Sequence, residues 1–227
     1  MKKLIGLAFA LVLAGCSESA PETTAAAPAQ PSPFQEGVHF QVVNPEGKVD
    51  QPTVTEFFSF YCGGCYNMES RFLPTIVPAL AEGVKFEQKH VNFARTEEDY
   101  QTYQAVIQGF AAVQQMGVEK QIKEPMFALM GGKHHNHVEG DKHGEGIHSL
   151  ADVRAIFVEH GVDGDAFDQA ASTPEVQSQV ELWAKEQRQY QIGSIPAFVV
   201  NNKYLVNINS VETLGELVEL MNYLATR

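Results

Sequence analysis

Three shortages in this sequence each exclude a class of protein. Cysteine is scarce, because three cysteines in 227 residues are too few for a small domain held together by many disulfides. Basic residues are scarce as well: 16 Lys and Arg stand against 28 Asp and Glu, giving a formal net charge of −12. That balance argues against nucleic acid as a partner. The apolar run at residues 4–13 is too short to cross a bilayer as a helix, which needs about 20 residues.

Apolar residues are plentiful enough to build a folded core. They make up 44% of the chain, so the low hydrophobicity that marks a disordered protein is absent. Domains usually contain about 100–200 residues, and a chain of this length is therefore expected to form one domain, or one domain with an insertion.

The start of the chain has the pattern of an export signal. Lys2 and Lys3 precede the apolar run, which ends in Leu13-Ala14-Gly15-Cys16. Small residues before a cysteine resemble the lipobox of bacterial lipoproteins, which implies a signal peptide at 1–15 and a lipid on the Cys16 thiol. The Ser-, Ala- and Pro-rich residues 16–33 are predicted to be a lipidated flexible tether. The alternative is an ordinary secretory signal cleaved elsewhere, with Cys16 an incidental thiol.

This pattern predicts a protein anchored by lipid on the periplasmic side of a bacterial membrane. Ser17 follows the lipidated position, and in enterobacterial lipoproteins a serine there favours the outer membrane. The choice between inner and outer membrane stays open.

The other two cysteines form one motif, Cys62-Gly63-Gly64-Cys65. A structural zinc site needs about four ligands, and no second C-x-x-C is present to supply them. A c-type haem needs a histidine directly after the motif, but Tyr66 is there. The motif therefore favours a redox-active dithiol in an oxidising compartment.

The flanking residues place this motif between a strand and a helix. Residues 51–61 are rich in β-branched and aromatic side chains, which is typical of a buried strand. Residues 84–91 are predicted to form the next strand. Cys62 is then expected at a helix N-terminus, where free N–H groups favour an anion and lower its pKa. Cys62 is predicted to be the attacking thiolate, and Cys65, one turn further in, the resolving thiol.

Three segments resemble the DsbA family of bacterial thiol:disulfide oxidoreductases. They are 56–65 around the cysteines, 89–93 (Lys-His-Val-Asn-Phe) and 193–201 around Pro196, and they occur in the family's order. The resemblance covers roughly residue 36 to the end. It implies an α/β thioredoxin-like fold, with a central mixed β-sheet flanked by helices and an inserted helical domain.

Helix signals agree with an insertion. Thr96, Ser149 and Thr173 are N-cap candidates before apolar residues at helical spacing, and Ser210 is expected to cap the last helix. The predicted division is 34–95 for the first part of the thioredoxin-like domain, 96–171 for the inserted helical domain, and 172–227 for the second part.

The resemblance also implies supporting residues. Glu56 matches the family's buried acid beneath the cysteines, and Lys89 matches its lysine and would be the partner of Glu56. Each could instead lie on a solvated strand face. Pro196 is expected to follow a cis peptide bond, with the backbone of Ile195 contacting an extended substrate.

The Gly63-Gly64 dipeptide departs from the family. A histidine that helps stabilise the thiolate usually occupies the position of Gly64, and glycine offers no side chain there. We therefore predict a higher pKa for Cys62 and a more reducing potential than in relatives with Cys-Pro-His-Cys. This departure leaves the direction of the reaction open.

A second unusual feature is the histidine-rich stretch at 133–148, which contains five of the eight histidines. It is predicted to be a loop of the helical domain. Imidazoles next to carboxylates suit Zn²⁺, Ni²⁺ or Cu²⁺, but a solvated polar insertion is the favoured interpretation.

The sequence thus predicts an extracytoplasmic enzyme that donates the Cys62–Cys65 disulfide to exported proteins with reduced cysteines. The family implies re-oxidation by a membrane partner of the DsbB type, and the chemistry needs no cofactor or metal. We expect a monomer. The alternatives are a reductase or isomerase on the same scaffold, and a metal-binding lipoprotein that uses the histidine-rich stretch.

Overall fold

A computed structural model describes residues 33–130 and 147–227. Five strands form one sheet in the order β1-β5-β4-β2-β3: β1 (Phe40–Val42), β2 (Thr53–Phe58), β3 (Lys85–His90), β4 (Ala197–Val200) and β5 (Tyr204–Val206). Strand β2 pairs in parallel with β3, and the other pairs are antiparallel. All six residues of β2 are buried, which explains why its sequence is rich in β-branched and aromatic side chains. The sheet is therefore mixed, as predicted.

The helix after the cysteine motif is continuous but widens in the middle. It consists of α1 (Gly63–Asn67), a π-helical turn (Met68–Phe72) and α2 (Leu73–Ala79). Pro74 has no N–H to donate, and its ring crowds the carbonyl of the preceding turn. The regular α-helical hydrogen bonds are therefore replaced by the wider π-helical turn just before it. Pro78 is accommodated inside α2.

Six more helices complete the described fold: α3 (Glu97–Gln115), α4 (Glu119–Leu129), α5 (Leu150–Glu159), α6 (Gly164–Ala171), α7 (Pro174–Gln189) and α8 (Leu214–Ala225). The hydroxyls of Thr96, Ser149 and Thr173 accept the backbone N–H three residues later, which confirms them as N-caps. Helices α3 to α6 all lie between β3 and β4 in the chain, as expected for a helical insertion.

The predicted start of the last helix is wrong. Ser210 ends a short 3₁₀ turn (Ile208–Ser210), and α8 begins after Thr213. The hydroxyl of Thr213 accepts from Glu216 N–H, and the Glu216 carboxylate accepts from Thr213 N–H. This reciprocal capping box satisfies two donors, whereas a cap at Ser210 would satisfy one.

Aromatic side chains join the sheet to the helical layer. The rings of Phe58, Phe60, Phe110 and Phe127 are fully buried, with centroids of neighbouring rings 5.0–6.0 Å apart. The same sheet face carries Val54 and Phe198, which pack with α2 and α8. The opposite face buries Phe57 against Tyr190, after α7. The C-terminal end of β2 thus lies where the sheet and the helical layer meet.

In these described ranges, no helix combines the length and the apolarity needed to span a membrane. The predicted signal peptide and nearly all of the predicted tether lie outside the described residues, as does most of the histidine-rich stretch, 133–146.

Candidate active site

Cys62 is the N-cap residue of α1, directly after the central strand. Its Sγ accepts the backbone N–H of Cys65 at 3.1 Å, so the sulfur takes the role that a serine or aspartate oxygen plays at other helix starts. The predicted position of Cys62 at a helix N-terminus is confirmed. Both cysteines are free thiols in this structure.

The two thiols have opposite electrostatic environments. A hydrogen bond from the Cys65 thiol and the backbone N–H groups of Cys65 and Gly64 lower the pKa of Cys62 to about 7, although partial burial of the sulfur acts to raise it. Cys65 is 1% exposed, and burial, followed by the bond and charge of Cys62, raises its pKa far above the ordinary value. Near neutral pH the pair therefore consists of a partly ionised outer sulfur and a protonated inner one.

The Ile195–Pro196 peptide bond is cis, as predicted, and faces the outer sulfur. The Cys62 thiol lies 3.7 Å from the carbonyl oxygen of Ile195, to which it can donate. A Cβ added at Gly64 would lie 3.4 Å from Pro196 Cδ and 3.7 Å from Cys62 Sγ. Glycine therefore leaves open a space between the proline loop and the nucleophilic sulfur.

Glu56 is buried in the central strand and is 1% exposed. Its Oε2 accepts from Gln88 Nε2 at 2.7 Å, while Oε1 has no hydrogen-bond partner among the described residues. Burial raises the pKa of Glu56 to about 8; the charges of Glu69 and Cys62 also raise it, whereas Gln88 and Lys123 lower it. Glu56 is therefore mostly a neutral acid at pH 7.

The expectation that Lys89 pairs with Glu56 is wrong. Residues opposite each other in the parallel register are Glu56 with Gln88, and Phe57 with Lys89. Because successive side chains of a strand point to opposite faces, Lys89 is on the other side of the sheet. There its Nζ contacts Glu186 Oε2 at 2.7 Å and Glu87 Oε1 at 3.1 Å.

The residues that surround Glu56 in place of Lys89 were not foreseen. Gln88 donates from the same Nε2 to Glu56 and, at 2.9 Å, to Glu69 Oε2. Lys123 of α4 contacts Glu69 Oε1 at 3.0 Å. The strand alternation was the available signal, since only every second residue of β3 can share a face with Glu56.

His90 has a structural role beside the active-site strand. It is buried, accepts from Phe60 N–H at Nε2 and lies 2.9 Å from Val91 O at Nδ1, so the neutral tautomer with a proton on Nδ1 satisfies both bonds. Burial lowers its pKa to about 3. In the described part of the chain, no three His, Cys, Asp or Glu side chains form a group that could hold a metal ion.

Comparison with known proteins agrees with this geometry. The model of the DSBA-like thioredoxin domain family matches residues 53–219. The thiol:disulfide interchange protein DsbA of Haemophilus influenzae is 31% identical over 77% of this chain and 77% of its own length. DsbA of Escherichia coli K12 is also 31% identical, over 77% of this chain and 78% of its own.

Solved structures give the same fold. DsbA of Proteus mirabilis with a non-covalently bound peptide has a TM-score of 0.68 at 22% identity, covering 86% of this chain and all of that one. Pseudomonas aeruginosa DsbA has a TM-score of 0.65 at 24% identity, covering 85% and 93%. With the family model matching most of its length, the chain belongs to the DsbA-like thioredoxin domain family.

Proposed function

We propose that this protein is a thiol:disulfide oxidoreductase that donates a Cys62–Cys65 disulfide to exported proteins. One observation carries the proposal: an outer cysteine of lowered pKa at a helix start, backed by a buried protonated cysteine and faced by a cis-proline loop. Thiol–disulfide exchange needs a sulfur that leaves and attacks as a thiolate, and Cys62 meets that requirement. The DsbA relatives are named for the same reaction.

The first exchange forms a mixed disulfide. A substrate thiolate attacks Cys62 Sγ, the Cys62–Cys65 bond breaks, and Cys65 leaves with the electron pair. Buried Cys65 does not hold a negative charge well, so it takes a proton, and the neutral carboxyl of Glu56 is the nearby group suited to supply it.

The second exchange releases the product. A second substrate thiolate attacks the substrate sulfur in the mixed disulfide, and Cys62 leaves as a thiolate stabilised by the N–H groups of the first helical turn. The substrate has then lost two electrons and the enzyme has gained them. The backbone of Ile195, beside Pro196, is proposed to hold the extended substrate; the Proteus mirabilis relative has been solved with a peptide bound.

The cellular setting is proposed from the sequence. Residues 1–15 would be removed as a signal peptide and Cys16 would be lipidated. Residues 16–33 would then tether a monomeric enzyme on the periplasmic side of the membrane. In that enzyme the two thioredoxin-like parts, 34–95 and 172–227, would flank the inserted helical domain, 96–171. A membrane partner of the DsbB type would re-oxidise it. Palmitate labelling with and without Cys16→Ala tests the anchor: the label should disappear in the variant, and an unlabelled parent would refute it.

The activity is tested by rescue of a strain that lacks its periplasmic thiol oxidase. The parent should restore disulfides in exported proteins, and Cys62→Ser should not. Alkylation of the thiols in living cells then fixes the direction. A mostly oxidised dithiol would support the oxidase function. A mostly reduced dithiol, together with no rescue, would contradict that function and favour the reductase or isomerase hypothesis.

A further inference from the structure

Four side chains form a continuous polar path from beneath the cysteines to the surface. Glu56 Oε2 accepts from Gln88 Nε2 at 2.7 Å, and the same nitrogen donates to Glu69 Oε2 at 2.9 Å. The other Glu69 oxygen accepts from Lys123 Nζ at 3.0 Å. These residues come from β2, β3, the π-helical turn and α4. We call this set the Glu56–Lys123 network.

The inner end of the network is buried from solvent, whereas its outer end is partly exposed to solvent. Glu56 and Gln88 are buried, whereas the Glu69 and Lys123 side chains are 24% and 14% exposed. Lys123, Glu69 and Gln88 line a groove between α2, β3 and α4. The free oxygen of Glu56, Oε1, makes no hydrogen bond to the described residues. A buried oxygen without a partner is costlier on a charged carboxylate than on a neutral carboxyl group, which favours the protonated form of Glu56.

The network is built to hold two carboxylates close together. Gln88 has two amide hydrogens on one nitrogen, so it can give one to each carboxyl group. Negative Glu69 opposes ionisation of Glu56, and positive Lys123 offsets that effect. The amide itself does not ionise, so the only cation of this network is Lys123 of α4. An exposed neighbour on the same helix, Lys120, lines the same groove but makes no ion pair with Glu69.

We propose that Lys123 is a positioning residue for disulfide exchange: through Glu69 and Gln88 it keeps Glu56 able to take the proton of Cys65. The inference rests on the proposed function. In the resolving step, Cys65 Sγ attacks Cys62 of a mixed disulfide. The Cys62–Cys65 bond forms, the outer sulfur leaves as a thiolate with the electron pair, and the Cys65 proton passes to the Glu56 carboxylate.

Charges from several elements face Glu56, and the test must separate them. They are Glu69 of the π-helical turn, Lys123 of α4, and the thiols Cys62 and Cys65. Substitutions at Glu69 and Lys123 leave the dithiol intact and are predicted to act in opposite directions. Loss of Lys123 leaves the negative charge of Glu69 uncompensated, so a smaller fraction of Glu56 is ionised and able to accept a proton. Loss of the Glu69 charge has the opposite effect and increases that fraction.

Stopped-flow reaction of the reduced full-length protein with Ellman's disulfide measures this step. The first thionitrobenzoate is released when Cys62 attacks, and the second when Cys65 resolves the mixed disulfide; Cys65→Ser should give only the first. In Lys123→Met the pH midpoint of the second phase should rise by about half a unit, slowing it about threefold below the midpoint. Glu69→Gln should lower the midpoint, and the double variant should return close to the parent.

Two matched variants separate positioning from structure. Lys123→Arg keeps the charge and should keep the midpoint, and Lys120→Met removes a charge from the same helix and should leave it unchanged. A midpoint that moves equally in Lys120→Met, or that does not move in Lys123→Met and Glu69→Gln while thermal stability falls, would overturn the inference. If the parent itself releases no second thionitrobenzoate, the proposed function fails first, which is a distinct result.

Discussion

At the scale of single residues, Gly64 leaves room for a side chain next to the reacting sulfur. It lies one residue before the buried thiol, and a Cβ there would come within 3.7 Å of Cys62 Sγ and 3.4 Å of Pro196 Cδ. Neither contact is prohibitive, so this backbone can accept a side chain. The thiolate of Cys62 is therefore stabilised by backbone N–H groups, that of Gly64 included, and by the Cys65 thiol, without a side chain at position 64.

Gly64→His is expected to strengthen the enzyme as an oxidant. An imidazolium beside the sulfur should lower the pKa of Cys62 by about one unit and make the potential more oxidising by about 30 mV. The rate of alkylation against pH gives the pKa, and equilibration in glutathione buffers gives the potential. Gly64→Ala fills the same space without charge and is the control; an equal shift in both variants would contradict an electrostatic cause.

At the scale of elements, the start of α8 depends on Thr213 and Glu216 rather than on Ser210. Thr213→Ala removes the hydroxyl that accepts Glu216 N–H and should lower the free energy of unfolding by about 1 kcal/mol. Ser210→Ala removes only an exposed hydroxyl bond to Asn207 O and should cost less than about 0.5 kcal/mol. Urea unfolding of both variants measures the difference, and equal losses would count against the capping box.

Helix α7 is tied to the edge of the sheet by a buried ion pair. Lys89→Met leaves the Glu186 carboxylate, 6% exposed, without its closest cation, and should destabilise the fold by about 3 kcal/mol. A second change, Glu186→Leu, should recover much of that loss. The pH midpoint of the resolving step should stay unchanged in Lys89→Met, because this side chain is on the face of the sheet opposite Glu56. A shifted midpoint would mean that the two faces are coupled.

At the scale of the whole molecule, buried titratable groups make folding depend on pH. Glu56 has a folded pKa of about 8 against an ordinary value of 4.5, so the folded protein holds a proton that the unfolded chain has released between these values. Its contribution to stability is present in full below pH 4.5 and is lost as the pH rises to 8. His90, whose pKa is lowered to about 3, acts in the opposite sense and weakens the fold as the pH falls below 6.5.

Glu56→Gln isolates the first effect. The variant should unfold with a higher free energy than the parent at pH 8, by on the order of 3 kcal/mol, and the difference should shrink towards pH 5. Urea unfolding of the reduced proteins at several pH values measures it, and the contribution of His90 cancels between the two. Parallel curves for parent and variant would contradict a raised pKa of Glu56.

Local chemistry in the sequence was enough to locate the reacting centre. Cys62 begins a helix because an apolar β-rich run ends at the motif, and Thr96, Ser149 and Thr173 begin helices because their hydroxyls accept nearby N–H groups. These interactions join residues three or four positions apart, so they can be predicted from the sequence alone. The cis bond before Pro196 followed from the family resemblance.

The surroundings of Glu56 were decided only by the tertiary structure. Whether Gln88 or Lys89 meets Glu56 depends on the register of β2 and β3, and a shift of one residue would exchange the two faces of the strand. Lys123 reaches Glu69 across 54 positions of sequence, from a helix that the pattern of the chain did not predict. Such pairings come from packing between distant segments, and no local pattern of residues carries that information.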